Sequence, residues 1–240
     1  MPKRLLAAGG AILLASSSLA QQAQPNSYTQ RDVRIGAFNQ VEVSGPIRVS
    51  IFVIDKPAAI SLVGPPALLD DTVAEVVGDT LKIHFRPGAS WSWNPGSGVT
   101  VAVTTPKLRA TRVKGAAMVE VDQFDAMRGN GFSAATTGSG KIALRGLDAG
   151  QVHLATGGSG SITVEGKAQQ AIYAVGGSGS IDAKRLRVQT AAIAIGGSGS
   201  IYADVARTAN ISGNGAGSVD VVGGATCLKA AAKVRQVECR

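Results

Sequence analysis

Aromatic residues are scarce in this 240-residue chain: five Phe, three Tyr and two Trp make up 4% of it. A core in this protein has to be assembled from small and β-branched side chains rather than rings. Only two cysteines and two histidines occur, which leaves little material for zinc clusters or for His-based catalysis. Charged residues reach only 17%, which excludes a charge-rich disordered tail. What is abundant is glycine, 31 residues, nearly twice the roughly 7% of average proteins. Hydrophobic residues at 45% supply a core for one domain, or at most two. The balance favours a β-rich scaffold over a helical bundle or an enzyme.

The longest N-terminal apolar run, Leu5 to Leu14, is about half of the roughly 20 residues that span a bilayer. Lys3 and Arg4 precede it and Ser18-Leu19-Ala20 follow it, the order of a secretory signal with cleavage after Ala20. Residues 1–20 are therefore expected to be a signal peptide and 21–32 a polar leader. No cysteine stands at the cleavage point to carry a lipid anchor. Cleavage takes two basic and no acidic residues from a net charge of +8, leaving 24 − 2 − 16 = +6. Such a charge favours anionic lipid or acidic glycan neighbours, and equally keeps a protein in solution; no motif for specific nucleic-acid recognition accompanies it. The expected location is exported: periplasmic, outer-surface or extracellular.

An internal repeat dominates the second half. G-S-G-K-I stands at 138–142, G-S-G-S-I at 158–162, 177–181 and 197–201, G-A-G-S-V at 215–219, and a fainter G-A-A-M-V at 115–119. Starts at 115, 138, 158, 177, 197 and 215 give steps of 23, 20, 19, 20 and 18. Around each glycine turn lie short alternating runs, which read as strands. After the turn, Ile142, Ile162, Ile181, Ile201 and Val219 form one apolar column. Leu144, Val164, Ala183, Ala203 and Val221 form a second, with Ala143, Thr163, Asp182, Tyr202 and Asp220 between them on the opposite face. Before the turn, Leu154, Tyr173, Ile193 and Ile211 make a further column. Twenty residues cannot bury such a face alone, but stacked units share a continuous core. The expected fold is an all-β parallel β-helix with Gly-Ser corners, on the order of 30 Å long for six units at about 4.8 Å each. Gly and Ser suit the corners because tight turns often need positive φ and stacked turns need small side chains. Ser139, Ser159, Ser178 and Ser198 would form a polar ladder.

Residues 33–110 read as further strands: Val41–Ser44, Ile47–Ile54, Ala59–Val63, Thr72–Val77, Thr80–Phe85, Val99–Thr104 and, running past that limit, Leu108–Val113. Gly78-Asp79 makes a tight turn, and Pro65-Pro66 opens a helical turn. The β-helix domain is placed at 33–225 and a C-terminal cap at 226–240. Cys227 and Cys239, in an exported chain, are expected to pair and close that cap.

Phe38–Ile54 (F-N-Q-V-E-V-S-G-P-I-R-V-S-I-F-V-I), Gly78–Phe85 (G-D-T-L-K-I-H-F) and the G-S-G-S-I units ending in a cysteine pair resemble the head GIN domain of putative autotransporter adhesins. The resemblance covers nearly all of the mature chain. It implies a right-handed single-chain β-helix in an exported bacterial protein, without an assigned activity and with no catalytic residues to transfer. No translocator barrel is expected after Arg240.

Chemical sites are sparse. The calcium-binding nonapeptide G-G-x-G-x-D needs Asp where Ile162, Ile181 and Ile201 stand, so no metal is expected in the repeats. A strand, not a helix N-terminus, follows each glycine loop, which removes a phosphate cradle; no cofactor is expected. His84 and His153 lie in strand patterns away from any nucleophile motif. The candidate ligand-binding residues are Trp91 and Trp93, which could stack on sugars or a protein partner, or instead cover the end or side of the β-helix. Lys107 and Arg109, with Arg112 and Lys114 nearby, form a basic run; a single patch requires a turn at Ala110-Thr111, and the other reading is scattered solvated charge. The functional expectation is a non-enzymatic exported scaffold with adhesin-like binding of cell-envelope or extracellular ligands. The alternative is a β-helix enzyme acting on an acidic polysaccharide, and a purely structural or assembly role is a third reading.

Overall fold

The computed structural model describes residues 28–89, 98–122, 131–230, 234 and 236–240. The segment expected to be a signal peptide and the start of the expected leader lie outside these residues, as do Trp91 and Trp93. Strand β1 (Thr29–Val33) occupies the end of the segment read as leader and pairs antiparallel with β4 (Ala59–Gly64). Between them, β2 (Gln40–Ser44) and β3 (Arg48–Val53) alternate buried residues with more exposed ones, the pattern of a sheet with one face in the core. After β4 comes the short helix α1 (Pro66–Asp71) with proline in its first turn, then β5 (Thr72–Val77) and β6 (Thr80–Phe85), an antiparallel hairpin turned at Gly78-Asp79. β7 (Thr100–Thr105), β8 (Ala110–Gly115) and β9 (Met118–Asp122) complete this block.

Spatial order in the block departs from chain order. β2 lies between β6 and β8, and β3 lies between β7 and β9, all in parallel. The chain therefore lays down the β2–β3 layer first, goes out to the end of the stack, adds the β6–β7 layer outside it, and returns to build β8–β9 on its inner side. Antiparallel β4 and β5 pair with β7 and β6 at that end. They cover edges that would otherwise be open to pairing with other chains.

From β8 and β9 onward the chain winds regularly. β10 (Gly131–Gly138) stacks on β8, and β11 (Lys141–Thr156), β12 (Ser161–Val175), β13 (Ser180–Ile195) and β14 (Ser200–Gly213) follow in parallel register. β15 (Ser218–Val222), β16 (Thr226–Ala230) and β17 (Gln236–Cys239) add the last layers. Ile142, Ile162, Ile181, Ile201 and Val219 are direct cross-strand neighbours and all buried, as are Leu154, Tyr173, Ile193 and Ile211. Each buried isoleucine contributes about 1.5–3 kcal/mol relative to an exposed one. The stack is a β-solenoid of stacked parallel strands, as the repeat requires.

The corners hold for a different reason than turn geometry. In the units from 138 to 217, only Gly138 of the motif glycines has positive φ, 115°. The others are glycine because the preceding layer leaves no room. A Cβ on Gly158 would stand 2.7 Å from the Gly138 nitrogen, and one on Gly197 2.7 Å from the Gly177 carbonyl carbon. That close approach lets corner hydrogen bonds run from layer to layer: Gly160 N–H donates to the Gly138 oxygen at 2.8 Å, and Gly179 N–H to the Gly158 oxygen at 2.8 Å.

The repeat also extends further back than the G-A-A-M-V copy. Gly45-Pro46-Ile47-Arg48-Val49 occupies the same corner, with Gly45 N–H donating to the Lys114 oxygen, Met118 N–H donating to the Ile47 oxygen, and Val49 opposite Val119. At the other end, Cys227 and Cys239 form a disulfide. Cys227 pairs in register with Ala209, and Cys239 with Val221, both of which are core positions. The bridge thus ties β16 to β17 across the C-terminal end of the stack.

Candidate functional site

Each turn of the stack presents two main outer faces, one on the strands that lead into the glycine corner and one on the strands that leave it. Their chemistry differs sharply. The stretches 131–139, 151–159, 170–178, 190–198 and 208–216 approach and enter the corner in five successive layers, and none contains Asp, Glu, Lys or Arg. Their outward residues stack in register. Ser133, His153, Ile172, Ala192, Asn210 and Leu228 form one column, and Ala135, Ala155, Ala174, Ala194 and Ser212 the next. Most of these side chains are exposed, and Leu228 is 52% exposed. The second column is small throughout, His153, Ile172 and Leu228 stand up from the first, and the five stretches contain no Asp, Glu, Lys or Arg.

From β10 onward, the face that leaves the corner carries the charge, and much of it is paired. Arg145 lies 3.6 Å from Glu120 and 3.4 Å from Asp122, so the Asp122 carboxylate, with Glu120 behind it, holds the guanidinium above its ordinary pKa. Arg185 meets Glu165 at 2.8 Å, and Lys167 meets Asp148 at 3.3 Å. Near the C-terminal end, Lys184 stands 4.2 Å over the Tyr202 ring and 3.8 Å from Asp220, which also accepts from Arg240 at 3.1 Å. These exposed pairs contribute little to stability; their main consequence is that much of the charge on this face is met by its own partners.

The basic run resolves into two parts. Arg112 and Lys114 point outward from β8, where Arg112 donates to the Gln40 side chain at 2.7 Å and Lys114 pairs with Glu42 at 2.9 Å. Lys107 and Arg109 lie in the connection from β7 to β8, both exposed and without an ion pair among the described residues. They sit at the N-terminal rim of the uncharged face, because the Arg109 carbonyl accepts from Ser133 N–H at 2.9 Å. Whether the tryptophan loop joins that rim falls outside the described residues.

His84 and His153 are not brought together. His84, on β6, is half-buried with Nδ1 2.9 Å from the Phe85 oxygen and Nε2 4.0 Å from Glu75. His153 is exposed on β11, four strand positions away along the stack. Among the described residues, no three His, Cys, Asp or Glu side chains cluster as metal ligands. Asp182 and Asp220 share an outward column with Tyr202 between them. An open groove of about 700 Å³ lies at the other end, between the chain at Asp32–Ile35 and the small outward residues Ala59, Ser61, Ala102 and Thr104. Hydrogen bonds from Ser61 and Gln30 hold the Asp32 carboxyl below its ordinary pKa.

A family model described as "Putative auto-transporter adhesin, head GIN domain" matches residues 37–225. The chain belongs to this head GIN domain family. The match starts just before β2 and ends before β16, so it spans the solenoid and leaves the disulfide-linked layer outside. Among solved structures, a putative adhesin from Bacteroides fragilis is 19% identical, with a TM-score of 0.79 over 89% of this chain and 97% of that one. A putative lipid binding protein from Parabacteroides distasonis is 20% identical, with a TM-score of 0.63 over 88% and 94%. A putative adhesin from the same species is 18% identical, with a TM-score of 0.66 over 89% and 97%. At these identities the likeness establishes the head GIN fold. No curated protein matches the chain. No helix among the described residues is long and apolar enough to cross a membrane.

The uncharged face escapes a residue-by-residue reading for chemistry because it is defined by an absence. The signal is present in the sequence: the nine residues ending in each corner serine, and their counterparts at 208–216, lack charge in the five copies from 138 onward, whereas those leaving the corner do not, and the fainter copy at 115–119 is entered through Arg109, Arg112 and Lys114.

Proposed function

We propose that this head GIN chain is an exported, non-enzymatic β-helix scaffold with adhesin-like binding of cell-envelope or extracellular ligands, and that the uncharged face is where it binds. The observation that carries this reading is the exclusion of Asp, Glu, Lys and Arg from five consecutive layers of one face in a chain with 40 such residues. Solubility alone gives no reason for that partition, because charge interspersed over all faces serves solubility better. A flat face without charge presents backbone-spaced hydroxyls, amides and methyl groups, and a ligand can be laid on it without desolvating an ion. Lys107 and Arg109 at the rim would add attraction for an anionic glycan or lipid group. The names of the solved relatives, adhesins and a lipid binding protein, accord with ligand binding.

The test is retention of the mature protein on a glycan and lipopolysaccharide array and on envelope extract. Ala174→Arg and Ala194→Arg should abolish retention, and Lys107→Ala with Arg109→Ala should weaken it for anionic ligands only. Trp91→Ala with Trp93→Ala asks separately whether the tryptophan loop contributes. The alternative, an enzyme acting on an acidic polysaccharide, predicts new reducing or unsaturated ends when uronate polymers are incubated with the protein. The proposed scaffold predicts none.

A further inference from the structure

Resting on the reading of the uncharged face as a docking surface, we infer that a second copy of this chain is one of its partners, the two faces meeting in a two-fold pair. Three observations carry this. First, charge: each copy carries a formal +8, or +6 without residues 1–20, so two copies repel wherever their charged surfaces approach. Within the face made by 131–139, 151–159, 170–178, 190–198 and 208–216 they can touch with no like charges opposed and no ion stripped of water, as long as Arg112 and Lys114, which continue its columns in the adjoining layer, lie beyond the contact. Second, area: five layers at about 4.8 Å and a width of about eight residues at roughly 3.3 Å give on the order of 600 Å² per copy, or about 1,200 Å² for the pair. That is the lower end of what a specific interface buries, and it fits a reversible pair rather than an obligate one. Third, shape: a two-fold interface uses the same patch twice and must be complementary to itself. The outward column Ala135, Ala155, Ala174, Ala194 and Ser212 has no bulky side chain to hold two sheets apart. The larger His153, Ile172 and Leu228 lie in the next column and can seat beside it.

Pairing and ligand capture would then compete for one surface, so binding of an envelope ligand should weaken as protein concentration rises through the dimer range. On cells facing one another, the same contact would make adhesion homotypic.

Sedimentation velocity of the mature protein over a concentration series tests the inference. The expected result is a reversible monomer–dimer equilibrium with Kd on the order of 10–100 μM. Because repulsion between positive copies opposes it, the dimer should strengthen, not weaken, as salt is raised. Ala174→Arg should shift the protein to monomer, as should Ser212→Arg in a separate layer. Thr163→Arg, which places the same charge on the opposite outer face, should leave the dimer intact. A thermal melt of each variant shows that it is folded before it is scored. Wild-type protein that stays monomeric at about 1 mM, or face variants that dimerise like wild type, would overturn the inference. Monomeric wild type that still loses envelope retention on Ala174→Arg would sink the pairing and leave the docking face standing, whereas a monomeric wild type whose retention Ala174→Arg leaves unchanged would remove the face itself.

Discussion

The two halves of the solenoid reach the same cross-section by different routes. In the C-terminal half, the next layer in space is the next stretch of about twenty residues in sequence, and the sequence repeats visibly. In the N-terminal block, β2–β3 is sandwiched between layers formed later in the chain, and antiparallel β4 and β5 close the end. What differs is the freedom of each layer. A repeat stacked on its own copies must keep its glycines, because each corner lies on the backbone of an identical corner. A layer flanked by unlike segments can place Gly45-Pro46 where the repeats place Gly-Ser, and lose the visible periodicity while keeping the packing.

The largest expected effect breaks the regular half at a corner. Gly177→Ala would place a Cβ 3.0 Å from the Gly158 carbonyl carbon and 3.1 Å from the Gly157 oxygen. Neither layer can yield without moving the other, so a loss of about 3 kcal/mol or more is expected by urea denaturation. Gly88 has φ +82°, and a methyl group there would meet nothing within 4 Å. Its replacement by alanine should cost only about 1 kcal/mol. Equal losses at the two sites would mean that stacking does not set the corner residue.

The disulfide comes next. Cys227→Ser with Cys239→Ser should cost about 3 kcal/mol by loop-closure entropy. Native-state hydrogen exchange should show opening of β16 and β17, with β2 and β3 unchanged. Uniform loss of protection would mean that the last layer is coupled to the whole stack rather than stapled to its end.

A smaller effect of opposite sign is expected in the core. Tyr173 is fully buried and its hydroxyl has no hydrogen-bond partner among the described residues. Burial, with the Asp204 carboxylate adding to it, raises its pKa well above the ordinary tyrosine value. Tyr173→Phe should therefore be neutral or stabilising by about 1 kcal/mol at neutral pH. The folded phenol keeps its proton where the unfolded one, near pKa 10, loses it. Stability is unaffected by this group well below about pH 10 and falls as pH rises above that, so the wild type should lose stability above about pH 10 relative to Tyr173→Phe. The smallest effect belongs to the paired face: Arg185→Ala should change stability in urea by less than about 1 kcal/mol.

Much of this fold is legible in the sequence because period and register coincide. The columns led by Ile142 and Leu154, the hairpin at Gly78-Asp79, and the Cys227–Cys239 pairing are readable from residue type and spacing. The inserted order of β2–β3 is not, because local pattern says that a segment is a strand and nothing about which strand lies beside it. The corner glycines stand out in sequence, but positive φ explains few of them; interlayer contact, invisible in one unit, explains the rest. Residue type alone points to Trp91, Trp93, Lys107 and Arg109 as candidate binding residues. The structure instead draws attention to common ones, Ala155, Ala174 and Ala194, whose importance depends on their stacking into a plane.

The central claim is that this uncharged plane is the binding surface of the scaffold. Its most direct test is retention of labelled protein on envelope extract at nanomolar concentration, where copies stay apart, comparing wild type, Ala174→Arg and the control Thr163→Arg. The account predicts retention of the wild type and the control and its loss in Ala174→Arg. Retention of all three alike would contradict it, and loss only on replacing Trp91 and Trp93 would move the binding site to the tryptophan loop.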